Sequence, residues 1–303
     1  MPAPEVLHDR LLPWYAAHRR DLPWRAPERS PWGVLVSEVM LQQTPVARVL
    51  PVWERWMSRW PTPSALAAAP TGDAVREWGR LGYPRRALRL HAAATAVRDA
   101  HAGHVPADEA VLRTLPGVGD YTAAAVAAFA FGRRATVVDT NVRRVQARSV
   151  SGLALPAPAL TRAETALAAR LLPEDDEQTA TWSVAVMELG ALVCTARAPR
   201  CSACPLADVC AWRAAGSPAP TGPPRRGQRW TGTDRQCRGT LLQVLRDSAG
   251  PVPAHRLQAA WPVPGVPDEQ GQAARQRERC LDALVAEGLV EPLPGARFRL
   301  PGT

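Results

Sequence analysis

Four cysteines fall within seventeen residues of this chain: Cys194, Cys201, Cys204 and Cys210, spaced C-x6-C-x2-C-x5-C. A loop whose four thiolates converge on one metal centre has few conformations open to it, so this run constrains the fold more than any other feature. Soft thiolates select zinc or an iron–sulfur cluster. Zinc sites are usually built from two close pairs, and only one pair is close here, which makes cluster ligation the better reading. Six cysteines in 303 residues are too few for a disulfide scaffold. Cys237 and Cys280 lack ligand spacing and read as small buried hydrophobes.

Apolar residues recur at helical spacing over residues 31–43, 46–60, 85–101, 122–132, 141–150, 160–172 and 179–193, with Pro and Gly clusters between them. The only strand-like run is Thr136-Val137-Val138. The expected fold class is therefore all-α, with one helical domain over residues 1–212. Residues 213–237, rich in Pro, Gly and Arg, read as a linker. Residues 238–303 predict helices at 239–247, 254–261 and 269–287. A short apolar run, 289–293, then turns through Pro294-Gly295 into 297–300. Three helices and a hairpin outline a small winged-helix-like domain. A helical cap that only packs fits equally well.

The net charge of +9 and the pI near 10.2 favour a polyanionic partner, nucleic acid being the commonest, against the alternative of a generally basic surface. All 37 basic residues are arginines; lysine and isoleucine are absent, and Asn141 is the single asparagine. Chemistry that needs a lysine amine is thereby excluded. No run of about 20 apolar residues offers a membrane span. The charged N-terminus does not resemble a signal peptide, so the expected location is the cytoplasm, at the nucleoid in a prokaryote.

Leu115-Pro116-Gly117-Val118-Gly119-Asp120-Tyr121-Thr122 lies between two helical runs. Its glycines permit a tight turn that exposes backbone N–H groups, and with the following helix N-terminus these can hold a DNA phosphate. A turn that merely ends a helix is the plainer alternative. Downstream, Asp139 stands where a helix begins. It reads as an N-cap worth about 1 kcal/mol, and that role is compatible with a catalytic one because a cap fixes the carboxylate. Asn141 could orient a carboxylate or a water. Glu38 lies on the helix that Ser30-Pro31 starts, with Val34, Leu35, Leu41 and Gln42 as its helical neighbours. An apolar setting raises a carboxyl pKa and suits it to general-acid work. An exposed glutamate at the edge of an amphipathic helix is the alternative.

The string Ser37-Glu38-Val39-Met40-Leu41-Gln42-Gln43-Thr44, with Leu22-Pro23-Trp24-Arg25, Gly82-Tyr83 and the LPGVG-x-Y-T hairpin, resembles the adenine DNA glycosylases of the MutY type. These belong to the helix-hairpin-helix, or endonuclease III, superfamily, and the cysteine spacing followed by Pro205-Leu206 resembles that superfamily's [4Fe–4S] loop. The resemblance spans about residues 10–212. It implies a two-lobed helical core and a [4Fe–4S] cluster on Cys194, Cys201, Cys204 and Cys210. The implied reaction is excision of adenine from double-stranded DNA where it is mispaired with 8-oxoguanine or guanine. By the same resemblance Glu38 protonates the adenine ring and later assists the water, and Asp139 stabilises the oxocarbenium-like sugar. Tyr121 and Asn141 support the carboxylates, and Gln42, Gln43 and Tyr83 wedge into the duplex. Leu115, Gly117, Gly119, Thr122 and Arg143 contact DNA, while Trp24, Arg25 and Leu41 line the base pocket. A monomer is expected. The chemistry is coherent: adenine leaves poorly as an anion, and the sugar becomes cationic as the bond breaks.

Tyr121 stands where bifunctional relatives carry a nucleophilic lysine, so a monofunctional glycosylase is expected. Three departures are visible. Val184 replaces a frequent Gln or Glu, and Pro84 replaces a frequent second tyrosine. The 66 residues after 237 are also too short for the Nudix-like domain that typical members use to read 8-oxoguanine. The alternatives are a thymine or uracil mismatch glycosylase of the same superfamily and a non-catalytic iron–sulfur DNA-binding regulator.

Overall fold

A computed structural model describes residues 2–220, 229–264 and 271–303. Among these the chain begins with helices α1 (Pro4–His18), α2 (Pro31–Leu41), α3 (Val46–Arg59), α4 (Pro63–Ala67) and α5 (Thr71–Trp78). It continues with α6 (Arg85–Ala100), α7 (Glu109–Leu112), α8 (Asp120–Phe131), α9 (Thr140–Ser149) and α10 (Arg162–Arg170). Then follow α11 (Asp176–Leu192), α12 (Ala211–Ala214), α13 (Asp234–Arg246), α14 (Ala254–Ala259) and α15 (Gln272–Ala286). Three short strands, β1 (Val252–Pro253), β2 (Glu291–Leu293) and β3 (Arg297–Arg299), pair antiparallel in the order β1-β3-β2.

The seven helices expected upstream of the cysteines are all present, each within three residues of the predicted bounds. Periodicity does not mark α1, α4, α5, α7 or α12. Pro13 lies inside α1, and the other four run for eight residues or fewer, too short to display a repeat. The Thr136-Val137-Val138 run joins no sheet among the described residues and leads straight into Asp139. Helix α13 starts at Asp234, inside the predicted linker, because Thr233 caps it by accepting from the Gln236 N–H at 3.3 Å. Residues 221–228 of that linker lie outside the described residues, as do 265–270, where the predicted third C-terminal helix begins.

By Cα packing the chain divides into two compact units, each assembled from separate stretches of sequence. The first comprises Met1–Leu35, Ala107–Thr114 and Val118–Pro224. Its core joins Leu7, Leu11 and Tyr15 of α1 to Trp182, Val186 and Leu189 of α11 and to Val142 and Val145 of α9. Each such side chain contributes about 1.5–3 kcal/mol through burial. Gly190 lets α11 approach α9 closely: a Cβ built there would sit 2.6 Å from Asn141 Cβ.

The second unit comprises Val36–Pro106, Leu115–Gly117 and Arg225–Thr303. Trp56 anchors it, edge-on to Trp60 and Trp78 with ring centroids 4.9 and 5.6 Å away. The C-terminal residues pack on α5 within this unit. The Gly72 N–H donates to Pro301 O at 2.6 Å, and Arg246 Nε donates to Val75 O at 3.0 Å. A Cβ at Gly72 would collide with Thr303, Pro301 and Leu300. Residues 238–303 carry eight arginines against seven acidic residues, so they contribute little to the positive charge of the whole chain.

Candidate active site and iron–sulfur centre

Asp139 is the N-cap of α9. Its Oδ1 accepts from the backbone N–H groups of Asn141 and Val142 at 2.8 and 2.7 Å, and its Oδ2 accepts from the Asn141 amide at 2.7 Å. Burial lifts its pKa above the ordinary carboxylate value, and those three donors with the nearby Arg144 guanidinium pull the other way without cancelling the rise. The side chain is thus fixed at both oxygens. Asn141 is fixed in turn: Arg144 Nη2 donates to its Oδ1 at 2.7 Å.

Arg144 carries the connection onward. Its Nη2 donates to Gly190 O at 2.6 Å and its Nε to Cys194 O at 2.7 Å. A continuous chain of charge-assisted bonds therefore joins the Asp139 carboxylate to the first cysteine of the loop. One helical turn further along α9, Arg148 is buried. It donates to Ala154 O at 2.9 Å, Thr195 O at 2.7 Å, Ala196 O at 3.1 Å and Cys194 Sγ at 3.4 Å, and stacks 4.8 Å from the Trp212 ring.

Cys194, Cys201, Cys204 and Cys210 line one cavity with Arg148 and Trp212, and all are free thiols. Among the described residues no group of three His, Cys, Asp or Glu is gathered closely enough to grip a single metal ion. Four soft thiols around one cavity are a donor set that fits an iron–sulfur cluster. Burial raises the Cys194 thiol and takes Cys204 to about 11, so both are protonated at neutral pH without a metal centre, and binding one releases their protons to solvent.

Trp24, in a 3-10 turn at Pro23–Arg25, is buried, and Arg25 Nη2 donates to Glu188 Oε2 at 3.1 Å. Glu188 is fully buried and also accepts from Arg20 N, Nε and Nη2 at 2.9, 2.8 and 2.7 Å. Burial opposes its ionisation, but the two arginines outweigh burial and hold the carboxyl at about 2. Arg25 Nη1 is buried without an acceptor. Tyr121, half-buried, is the second residue of α8; Thr122 beside it is buried.

In the second unit, Glu38 is 5% exposed on α2, with Leu41 and Gln42 half-buried and Gln43 exposed after it. Tyr83 is exposed. Of the hairpin residues, Leu115 is buried. Gly117, at φ +80, rests against the Arg89 side chain so closely that a Cβ would lie 2.7 Å from Arg89 Cβ. A Cβ built at Gly119 would meet nothing within 4 Å, so the side of the backbone it would cover is open to close approach. Arg143 does not offer its guanidinium to solvent: Nη2 is held by Ala157 O, Ala159 O and both oxygens of Glu164 at 2.7–3.0 Å.

The residues that sequence reasoning passed over are Arg86, Arg144, Arg148, Glu188 and Gly190. Arg144 carried a faint signal, three residues after Asn141 and so on the same helical face. The others carried none, since most of their partners are remote in sequence.

A helical scaffold, a capped aspartate after a Gly-containing hairpin, and a four-thiolate loop tied to that aspartate define the class: a base-excision DNA repair protein with an iron–sulfur centre. Residues 36–167 match the HhH-GPD superfamily base excision DNA repair protein model, and residues 194–210 match the iron–sulfur binding domain of endonuclease III. The chain is 54% identical to the adenine DNA glycosylase of Mycobacterium tuberculosis, an alignment that covers all of this chain and 98% of that one. It is similar to the structure of a thermostable thymine-DNA glycosylase, with TM-score 0.62 and 27% identity over 70% of this chain and 97% of the other. It is also similar to endonuclease III in a non-covalent DNA complex, with TM-score 0.60 and 25% identity over 72% and 99%. The chain belongs to the adenine DNA glycosylase family. It is a base-excision repair DNA N-glycosylase, a hydrolase, with a [4Fe–4S] cluster, which the loop at residues 194–210 fits. Among the described residues no helix is long and apolar enough to cross a membrane.

Proposed function

We propose that this protein removes adenine mispaired with 8-oxoguanine or guanine by hydrolysing the N-glycosidic bond, and that it leaves an abasic site without cutting the strand. The observation that carries the reading is the Asp139 carboxylate locked at both oxygens by three N–H donors: a fixed negative charge is what a cationic sugar needs. Its partner is Glu38, buried on α2, which donates the proton that turns adenine into a neutral leaving group and then takes one from the attacking water. Asn141 orients Asp139, and Tyr121 supports the carboxylates from α8.

The buried, unpartnered Arg25 Nη1 supports a role for Arg25 and Trp24 in the base pocket, since an acceptor on the base would satisfy it. Gln42, Gln43 and Tyr83 wedge into the gap left by the extruded base. Gly119 and the α8 N-terminus take a phosphate, with Gly117, Leu115 and Thr122 shaping the hairpin rather than touching DNA. Arg143 serves the fold through Glu164. The exposed Arg197 supports a phosphate contact from the cysteine loop. When bound, the [4Fe–4S] cluster supplies a rigid pin for that loop, and Arg144 and Arg148 transmit its position to α9. Residues 238–303 serve as a packing module, on the grounds of their α5 contacts and near-balanced charge; the protein acts as a monomer.

Single-turnover excision on duplexes containing A:8-oxoguanine, A:G and T:G tests this. Adenine release from the first two, with strands intact until heat or base is added, is expected. Faster release of thymine would move the protein to the mismatch alternative, and spontaneous strand scission would overturn the monofunctional chemistry. Glu38→Gln should abolish excision and keep measurable DNA binding.

A further inference from the structure

One buried arginine holds two strained turns. Gln43 and Tyr83 have φ of +56 and +46, the left-handed region that residues with a Cβ avoid. Each directly follows a carbonyl bound by Arg86: Gln42 O lies 2.5 Å from Nη1, and Gly82 O lies 3.1 Å from Nη2. Nη1 also faces Val39 O and Met40 O at 2.9 and 3.1 Å, the carbonyls of the last turn of α2, and Nη2 reaches Thr44 Oγ1 at 3.0 Å. The guanidinium lies 5.1 Å from the Trp78 ring centroid and 5.5 Å from that of Tyr83. Arg86 is 7% exposed. Burial lowers its pKa to about 10, which leaves it charged at neutral pH.

A fold in need of stability alone would place glycine at such backbone angles. Here two large polar side chains, both exposed, are kept there instead, and the strain persists because a single group bonds the residues around it. We propose that Arg86 is a positioning residue for mismatch recognition, presetting the turns that carry Gln43 and Tyr83 and the end of α2 just beyond Glu38. This rests on the reading of Gln43 and Tyr83 as wedging side chains. Arg86 touches neither DNA nor base; it acts through the turns. Lysine cannot replace it, because one ammonium nitrogen cannot span acceptors that the two ends of a planar fork reach.

The test compares affinity for an A:8-oxoguanine duplex with affinity for the fully paired duplex, measured in a Glu38→Gln background, alongside single-turnover excision in the otherwise native chain. Arg86→Lys should keep paired-duplex affinity within about twofold, lower the mispair preference at least tenfold and slow excision by about 100-fold, the scale of a 1 Å misplacement. Thr44→Val removes one acceptor and leaves the guanidinium in place; it should lower the preference by about three- to fivefold, and it decides the matter if Arg86→Lys does not fold. An unchanged preference in both variants, whatever happens to the melting temperature, overturns the proposal. Gln43→Ala and Tyr83→Ala separate the two readings. If they keep the native preference, the wedge reading fails and this one with it. If they lose the preference while Arg86→Lys keeps it, the wedge stands and the positioning role falls.

Discussion

Gly190→Ala places one methyl group against the most ordered part of the site. Its Cβ would lie 2.6 Å from Asn141 Cβ and 3.1 Å from both Cα and O of Asn141, where carbon contacts are ordinarily about 3.5–4.0 Å. Two of those atoms are backbone, so rotamer change gives no relief, and the start of α9 must retreat by about 1 Å. The bonds at stake are those from Arg144 to the α11 side, Nη2 to Gly190 O at 2.6 Å and Nε to Cys194 O at 2.7 Å. A retreat of that size takes them beyond hydrogen-bonding distance. Overpacking costs about 1–3 kcal/mol, and alanine returns up to about 1 kcal/mol of helix propensity to α11. The variant should therefore fold and melt within a few degrees of the native protein. The catalytic loss is larger: displacing a reacting carboxylate by about 1 Å slows excision about 100-fold, nearly 3 kcal/mol on the barrier. Single-turnover excision read beside visible cluster absorbance and thermal melting checks this. A native rate with the cluster intact would refute the claim that the α9–α11 approach sets the position of Asp139.

Glu188→Gln should destabilise the protein strongly at neutral pH. The native carboxyl is held at about 2 against an ordinary 4.5, which corresponds to about 3 kcal/mol. Because the folded value is the lower one, that stabilisation is complete above about pH 4.5 and is lost as pH falls toward 2. Melting curves should show a gap between native and variant that closes in acid; a gap constant across that range would contradict it. Asn141→Leu removes a bond that favours ionised Asp139, whose pKa burial already raises. The acid limb of the pH–rate profile should then move to higher pH, and a shift to lower pH would count against Asp139 acting as the anion. Cys204→Ser should lose the visible absorbance of the cluster and weaken DNA binding before the helical core melts; retained absorbance would place the ligand elsewhere.

The sequence by itself determined a good deal here. Helical spacing located the long helices other than α1 because apolar residues repeat every 3.6 residues wherever one side meets a core. The cysteine spacing announced a cluster because all four cysteines lie within a single loop. Asp139 announced itself as a cap because capping is a contact between residues two and three apart. Each of these signals is local. Tertiary structure decided what depends on partners remote along the chain. Arg143 read as a DNA contact but is bound to Glu164, 21 positions away. Arg86 read as one arginine among 37, yet it meets carbonyls more than forty positions upstream. The pKa of Glu188 is set by Arg20 and Arg25, which lie more than 160 residues away. An arginine's net contribution depends on which acceptors surround it once water is gone, and a linear string of residues does not carry that information.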